Sequence, residues 1–161
     1  MEDKNTPDAR AWADAMRQRK TNQPPCILVV DDDTSMRQFN CGVLLRAGYR
    51  VNAAVDGGVA WDAINTGHYD LMVTDNHMPK LTGIGLLAKL HASHMTLPVI
   101  MATGVAPKEE LIKNPWLEPA ATLLKPYSVE ELLNTVKEVL LLNDIVWQQA
   151  ALPENGPSAG D

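Results

Sequence analysis

Four short apolar runs in this 161-residue chain each end in polar residues suited to one reaction. The first closes with Val30-Asp31-Asp32-Asp33, a later one with Thr74-Asp75, the next with Ala102-Thr103-Gly104 and the last with Leu124-Lys125-Pro126. If the four ends meet, several carboxylates, a hydroxyl and an ammonium share one pocket. Each pair of carboxylates about 4 Å apart then costs on the order of 4 kcal/mol at an effective dielectric near 20, so a compensating cation is required. Mg²⁺ suits such a set, because it keeps several waters and takes only one or two carboxylates plus a substrate phosphate. One carboxylate is left as a nucleophile. It can attack a phosphoryl group to give an aspartyl phosphate, while the cation, hydroxyl and ammonium neutralise the equatorial oxygens. Each residue also has a plainer reading. The Asp triplet can be a helix cap with dipole-favoured charges, with Asp33 or Thr34 as the cap, and Asp75, Thr103 and Lys125 can be ordinary turn or surface residues. Their joint occurrence at four strand ends favours the composite site.

The elements that must position these residues follow from periodicity. Strands are expected near 26–31, 49–55, 70–75, 97–103 and 120–124, with helices near 35–47, 57–66, 83–93, 107–114 and 128–142. CILVVD, DLMVTD and LPVIMAT are apolar on both faces, as parallel strands covered by helices must be, whereas the other two strands are weaker. This βα alternation implies an α/β fold around a parallel sheet, whose ligand site lies at the carboxyl ends of the strands. Ser128 and Glu131 form a capping box for the last helix, and Gly48 and Gly67 are helix stops. Pro107, Pro115 and Pro119 confine the fourth helix to about two turns. There is no internal repeat and no glycine-rich phosphate loop.

Composition excludes several classes. A formal charge of −6 and only four Trp, three Tyr and one Phe supply neither the basic surface nor the aromatic platforms for nucleic acid. No apolar run is long enough for a bilayer and no secretory leader is evident, so the chain reads as cytoplasmic, with no membrane partner. Cys26 and Cys41 read as core thiols. His91 and His94, three apart with no third ligand, read as exposed, and His68 as a loop residue. Residues 1–25 carry a net +1, residues 143–161 a net −3, and the middle −4, equal to the charge of Asp31, Asp32, Asp33 and Asp75 alone.

Across 26–142 the chain resembles the receiver domain of two-component response regulators. The motifs CILVVDDD, VDGGVAWDAINTGHYDLMVTDNHMPKLTGIGLL, LPVIMATG and ATLLKPYSVEELL stand in the family's order and at about its spacing. The resemblance implies a doubly wound five-stranded parallel sheet of order 2-1-3-4-5, the flavodoxin-like (CheY-like) three-layer sandwich. It implies phosphoryl transfer from a phosphohistidine on a sensor histidine kinase or histidine phosphotransfer protein. By position it makes Asp75 the phosphoacceptor and Asp31 and Asp32 the acidic pair around Mg²⁺. It also makes the backbone carbonyl of His77 a further metal ligand, and Thr103 and Lys125 the switch hydroxyl and phosphoryl-contacting lysine. The family often has a cis peptide at the bond matching Lys125-Pro126.

The chain departs from the family at Thr122, where a switch aromatic is usual, so a read-out through the fourth helix and Trp116 is expected to replace it. His77 and Val105 occupy the two positions that tune hydrolysis. Residues 143–161 are too short for an output domain, so the chain reads as a receiver that signals by protein contact to a downstream target, either a stand-alone regulator or a receiver excised from a larger kinase, with the stand-alone reading favoured. Leu141, Leu142, Ile145 and Val146 continue the apolar content past 142, and Ala9, Trp12, Ala13 and Met16 form a stripe at helical spacing in the N-terminal extension. Either that stripe covers the extension within one chain or the two build a homodimer contact. Two rival functions are a receiver-like interaction module that is never phosphorylated, and a haloacid-dehalogenase-type phosphatase using Asp31, Asp33 and Ser35. The phosphatase lacks the second acidic pair its metal needs.

Overall fold

The computed structural model of the protein describes residues 23–150. Five strands, β1 (Cys26–Val30), β2 (Arg50–Ala54), β3 (Leu71–Thr74), β4 (Val99–Thr103) and β5 (Ala121–Leu124), form one parallel sheet in the order β2-β1-β3-β4-β5. The helices are α1 (Thr34–Arg46), α2 (Gly57–Thr66), α3 (Gly83–Ala92), α4 (Lys108–Lys113) and α5 (Val129–Ala150), with a 3-10 turn at Pro115–Leu117. This is the doubly wound, flavodoxin-like α/β sandwich.

Side-chain alternation divides the core into two layers. Leu28, Val30, Met72 and Met101 point to one face, against Ala60 and Ile64 of α2 and Leu86 and Leu90 of α3. Ile27, Val29, Val73 and Ile100 point to the other, against Val43 and Leu44 of α1 and Leu132, Val136 and Val139 of α5. The three doubly apolar strands are buried throughout, whereas β2 and β5 are the edges, with three of five and two of four residues exposed. That is why their sequence signal is weak.

Caps fix where the helices begin. Asp33 accepts from the amide of Met36 at 3.0 Å, Asp56 from Val59 at 2.9 Å and Thr82 from Gly85 at 3.0 Å, each closing an otherwise open first turn. Ser128 and Glu131 make the reciprocal capping box, at 3.0 and 2.7 Å. Gly48 ends α1 with φ +95, a left-handed geometry that glycine adopts at no steric cost. Gly67 also ends its helix, but in extended backbone.

The fourth helix is six residues long, as the flanking prolines led one to expect, and Pro115 opens a separate 3-10 turn after it. One element differs from expectation. The last helix runs to Ala150, well past 142, so residues 143–150 continue α5. The N-terminal stripe Ala9, Trp12, Ala13 and Met16 lies outside the described residues, as do residues 151–161. Among the described residues no helix is long and apolar enough to cross a membrane.

Candidate functional site

Because all five strands are parallel, the ends of β1, β3, β4 and β5 reach the same rim of the sheet. Asp31, just past β1, is still in the ladder, donating its amide to the carbonyl of Ala54 at 3.2 Å. Its carboxylate is buried, with Oδ1 accepting from the amide of Asp33 at 2.9 Å, and its carbonyl accepts from Nη1 of Arg37 at 2.8 Å. The Asp triplet therefore divides its duties. Asp33 is the helix cap, Asp31 is held inside, and Asp32 stays exposed at the mouth. Asp75 follows β3, its amide donating to the carbonyl of Val30 at 3.1 Å and its Oδ1 accepting from the amide of Asn76 at 2.7 Å.

Carboxylate oxygens of Asp31, Asp32 and Asp75 lie within 4.8 Å of one another. Lys125 stands among them, with Nζ 3.2 Å from Oδ2 of Asp31 and 3.4 Å from Oδ2 of Asp75. Its backbone is set by its amide N–H donating to the carbonyl of Thr103 at 2.9 Å and by a cis peptide to Pro126. Burial pushes the Asp31 carboxyl above its ordinary value, a push the Asp33 amide and Lys125 only partly offset. Burial would lower the Lys125 ammonium, but the carboxylates of Asp31 and Asp75 outweigh it and hold this pKa above its ordinary value. One ammonium against three carboxylates leaves the pocket with excess negative charge. A hard, oxygen-only donor set of this kind, open on the Asp32 side, fits a divalent cation such as Mg²⁺.

Thr103 is fully buried at the end of β4, and its hydroxyl donates to the carbonyl of Val105 at 3.2 Å, within its own loop. His77 is exposed in the turn after Asp75. Thr122 lies exposed on the edge strand β5, opposite Met101. Trp116 is half exposed in the 3-10 turn, its ring 4.7 Å from that of His91. His91 and His94 are exposed as expected, while Cys26 is buried and Cys41 partly so.

Several supporting residues escaped the sequence reading. Asn76, buried behind Asp75, accepts from the amide of Gly83 with its carbonyl at 3.1 Å and from Ile84 with its side chain at 3.0 Å, closing the turn onto α3. Gly83 is obligatory there, since a Cβ would sit 2.6 Å from the carbonyl oxygen of Asp75. The Met78-Pro79 to Gly83 spacing signalled a turn, but nothing in it marked Asn76. Asn40, a buried polar residue in mid-helix, accepts from the Tyr127 hydroxyl at 2.9 Å. Its only trace in sequence is an Asn where an apolar residue would be expected.

A flavodoxin-like sheet with an acidic, lysine-bridged pocket at its carboxyl rim narrows the chain to a small set of signalling and catalytic families. Residues 27–137 match the family model of the response regulator receiver domain, and the chain belongs to that family. It is 32% identical over 116 residues to a chemotaxis protein CheY of Pseudomonas aeruginosa, a match covering 70% of this chain and 94% of that one. A probable transcriptional regulator, ycf27 of Porphyridium aerugineum, is 33% identical over 81% of this chain, which spans about half (54%) of that relative's length. Among solved structures, the receiver domain of the Francisella response regulator 1452 superposes with a TM-score of 0.68 at 34% identity, covering 74% of this chain and 98% of that one. Membership of this family sets aside the phosphatase reading, and Asp33, which that reading needs as an acid/base, is committed to capping α1.

Proposed function

We propose that this chain is a phosphorelay receiver whose Asp75 accepts a phosphoryl group from the phosphohistidine of a sensor histidine kinase or a histidine phosphotransfer protein. An oxygen of the Asp75 carboxylate attacks phosphorus as the P–N bond breaks, and the departing imidazole takes up a proton. Lys125, within reach of both Asp31 and Asp75, neutralises charge on the phosphoryl oxygens as the acceptor carboxylate loses its own. The Thr103 hydroxyl leaves the Val105 carbonyl to donate to a phosphoryl oxygen, which reshapes the loop between β4 and α4. Asp31, Asp32, Asp75 and the carbonyl of His77 would hold Mg²⁺, which when bound supplies further charge neutralisation at the transferring group. Output is by altered contacts with a downstream protein. The acidic composition argues against nucleic acid as a direct partner.

The single observation that carries this reading is the bridge of Lys125 to two of the three clustered carboxylates. Incubation with Mg²⁺ and acetyl phosphate, followed by intact mass, tests it. One phosphoryl adduct is expected, absent in Asp75→Asn. No adduct on the native chain favours the module that is never phosphorylated, a reading to which the missing aromatic at Thr122 lends some support.

A further inference from the structure

The loop that leaves β1 is clamped on both sides of Asp32. Asp31 has every hydrogen-bonding group engaged. Its amide donates to the Ala54 carbonyl, Oδ1 accepts from the Asp33 amide, Oδ2 accepts from Lys125, and its carbonyl accepts from Nη1 of Arg37 at 2.8 Å. Asp33 accepts from the Met36 amide with its side chain and from the Arg37 amide with its carbonyl, the latter at 2.9 Å. Asp32 has no such hold, and among the described residues no hydrogen bond or ion pair reaches its carboxylate.

The direction of the exposed Asp32 side chain is therefore set by the two peptide planes that flank it. The 32–33 plane is held by the Asp33 amide on Oδ1 of Asp31. The 31–32 plane is held through the Asp31 carbonyl by Arg37. Arg37 is itself fixed, because its amide makes the first hydrogen bond of α1, Nη2 lies 3.4 Å from the Thr34 hydroxyl oxygen, and its side chain is half-buried.

We propose that Arg37 is a positioning residue for the cation site. By fixing the 31–32 peptide it turns the Asp32 carboxylate toward Asp31 and Asp75, so the three acids stand ready before a divalent cation arrives. This rests on reading the acidic pocket as a cation site. Oxygens of the three carboxylates lie within 4.8 Å of one another although like charges repel, and an exposed carboxylate with no bond of its own would swing outward unless its backbone held it. Groups that orient metal-binding side chains in this way are commonly worth about 10- to 100-fold in metal affinity.

Charge alone predicts the opposite sign. A guanidinium beside the pocket repels Mg²⁺, so removing it would tighten binding if charge were its whole contribution, whereas loss of positioning weakens binding. A lysine keeps the charge and can reach one acceptor, but it lacks the planar fork that spans Asp31 and Thr34.

Melting temperature followed through a MgCl₂ titration of the full chain, with no phosphodonor present, tests the proposal. Arg37→Ala should raise the Mg²⁺ concentration needed for a given upward shift about tenfold, with Arg37→Lys between it and the native chain. Should Arg37→Ala fail to fold, Arg37→Lys carries the comparison in the same direction. In an Asp32→Asn background, Arg37→Ala should change the Mg²⁺ response by less than about twofold, because the residue it positions is gone. Unchanged or tighter Mg²⁺ binding without Arg37, or a full loss that persists without Asp32, would overturn the proposal alone. A native melting temperature that ignores Mg²⁺ would overturn the cation site with it, and the acetyl phosphate adduct tests phosphoacceptance separately.

Discussion

The Tyr127 hydroxyl donates a 2.9 Å hydrogen bond to Oδ1 of Asn40, tying the loop that carries Lys125 to the middle of α1. Asn40 is 2% exposed, so this acceptor has little access to water. Burial pushes the Tyr127 phenol above its ordinary pKa. Tyr127→Phe leaves the Asn40 oxygen without this donor, and it should cost about 1–3 kcal/mol in urea unfolding. Phosphorylation by acetyl phosphate should also slow, because Lys125 lies two residues away. An unchanged rate alongside lost stability would mean that the bond supports only the fold.

Gly83→Ala should be far more damaging than an ordinary helix substitution. Its Cβ would meet the Asp75 carbonyl at 2.6 Å and the Asn76 Cα at 3.1 Å, both backbone atoms that cannot rotate away. A loss of about 1–3 kcal/mol is expected, together with a lower rate of adduct formation as Asp75 shifts. Gly42, where an added Cβ would meet nothing within 4 Å, is the control, and Gly42→Ala should be neutral or mildly stabilising.

Asp32 is exposed, within 4.8 Å of the other two carboxylates, while the two close contacts of Lys125 go to Asp31 and Asp75. Asp32→Asn should therefore relieve repulsion and raise the metal-free melting temperature by about 2 °C, corresponding to an exposed charge interaction below about 1 kcal/mol. It should also remove most of the stabilisation that Mg²⁺ gives the native protein. Equal Mg²⁺ increments in both proteins would dissociate Asp32 from the cation site.

Asp56 caps α2, and the Val59 amide, aided by Lys80 at 3.8 Å, holds its carboxyl below the ordinary value of 3.8. A folded-state pKa below the unfolded one gives stability at neutral pH that fades as pH falls through 3.8 toward the folded-state value. Asp56→Asn keeps a capping oxygen but does not titrate. The stability gap between the two proteins in urea should narrow from about pH 6 to about pH 3.

Trp116 follows the short α4, downstream of the loop that Thr103 begins, and contacts His91 of α3. Phosphorylation that moves this loop should change the emission of Trp116, read in a chain whose other tryptophans are replaced by Phe. Constant emission on full phosphorylation would exclude Trp116 as the read-out that stands in for an aromatic at Thr122.

The βα alternation, the buried nature of three strands, the capping box and the residues of the acidic pocket were all legible in sequence, because each depends on local periodicity or on residue type at an element's end. Val30-Asp31 and Thr74-Asp75 needed only the rule that ligands gather at the carboxyl rim of a parallel sheet. Lengths at the margins were less legible. Proline fixed the short α4, but α5 continues through Leu141 and Leu142 because nothing after them breaks a helix until Pro153.

Contacts between distant residues were decided by tertiary structure alone. The chain offers Asp33 or Thr34 as the cap without saying which of Asp31 and Asp32 points inward, and folding gives the cap to Asp33, the buried carboxylate to Asp31 and the open mouth to Asp32. Nor does it announce that Tyr127 meets Asn40, 87 residues away, or that Lys125 crosses 94 residues to reach Asp31. Periodicity encodes which face of an element is apolar. Which side chains meet is settled only when parallel strands in one register bring four separate chain segments to the same rim.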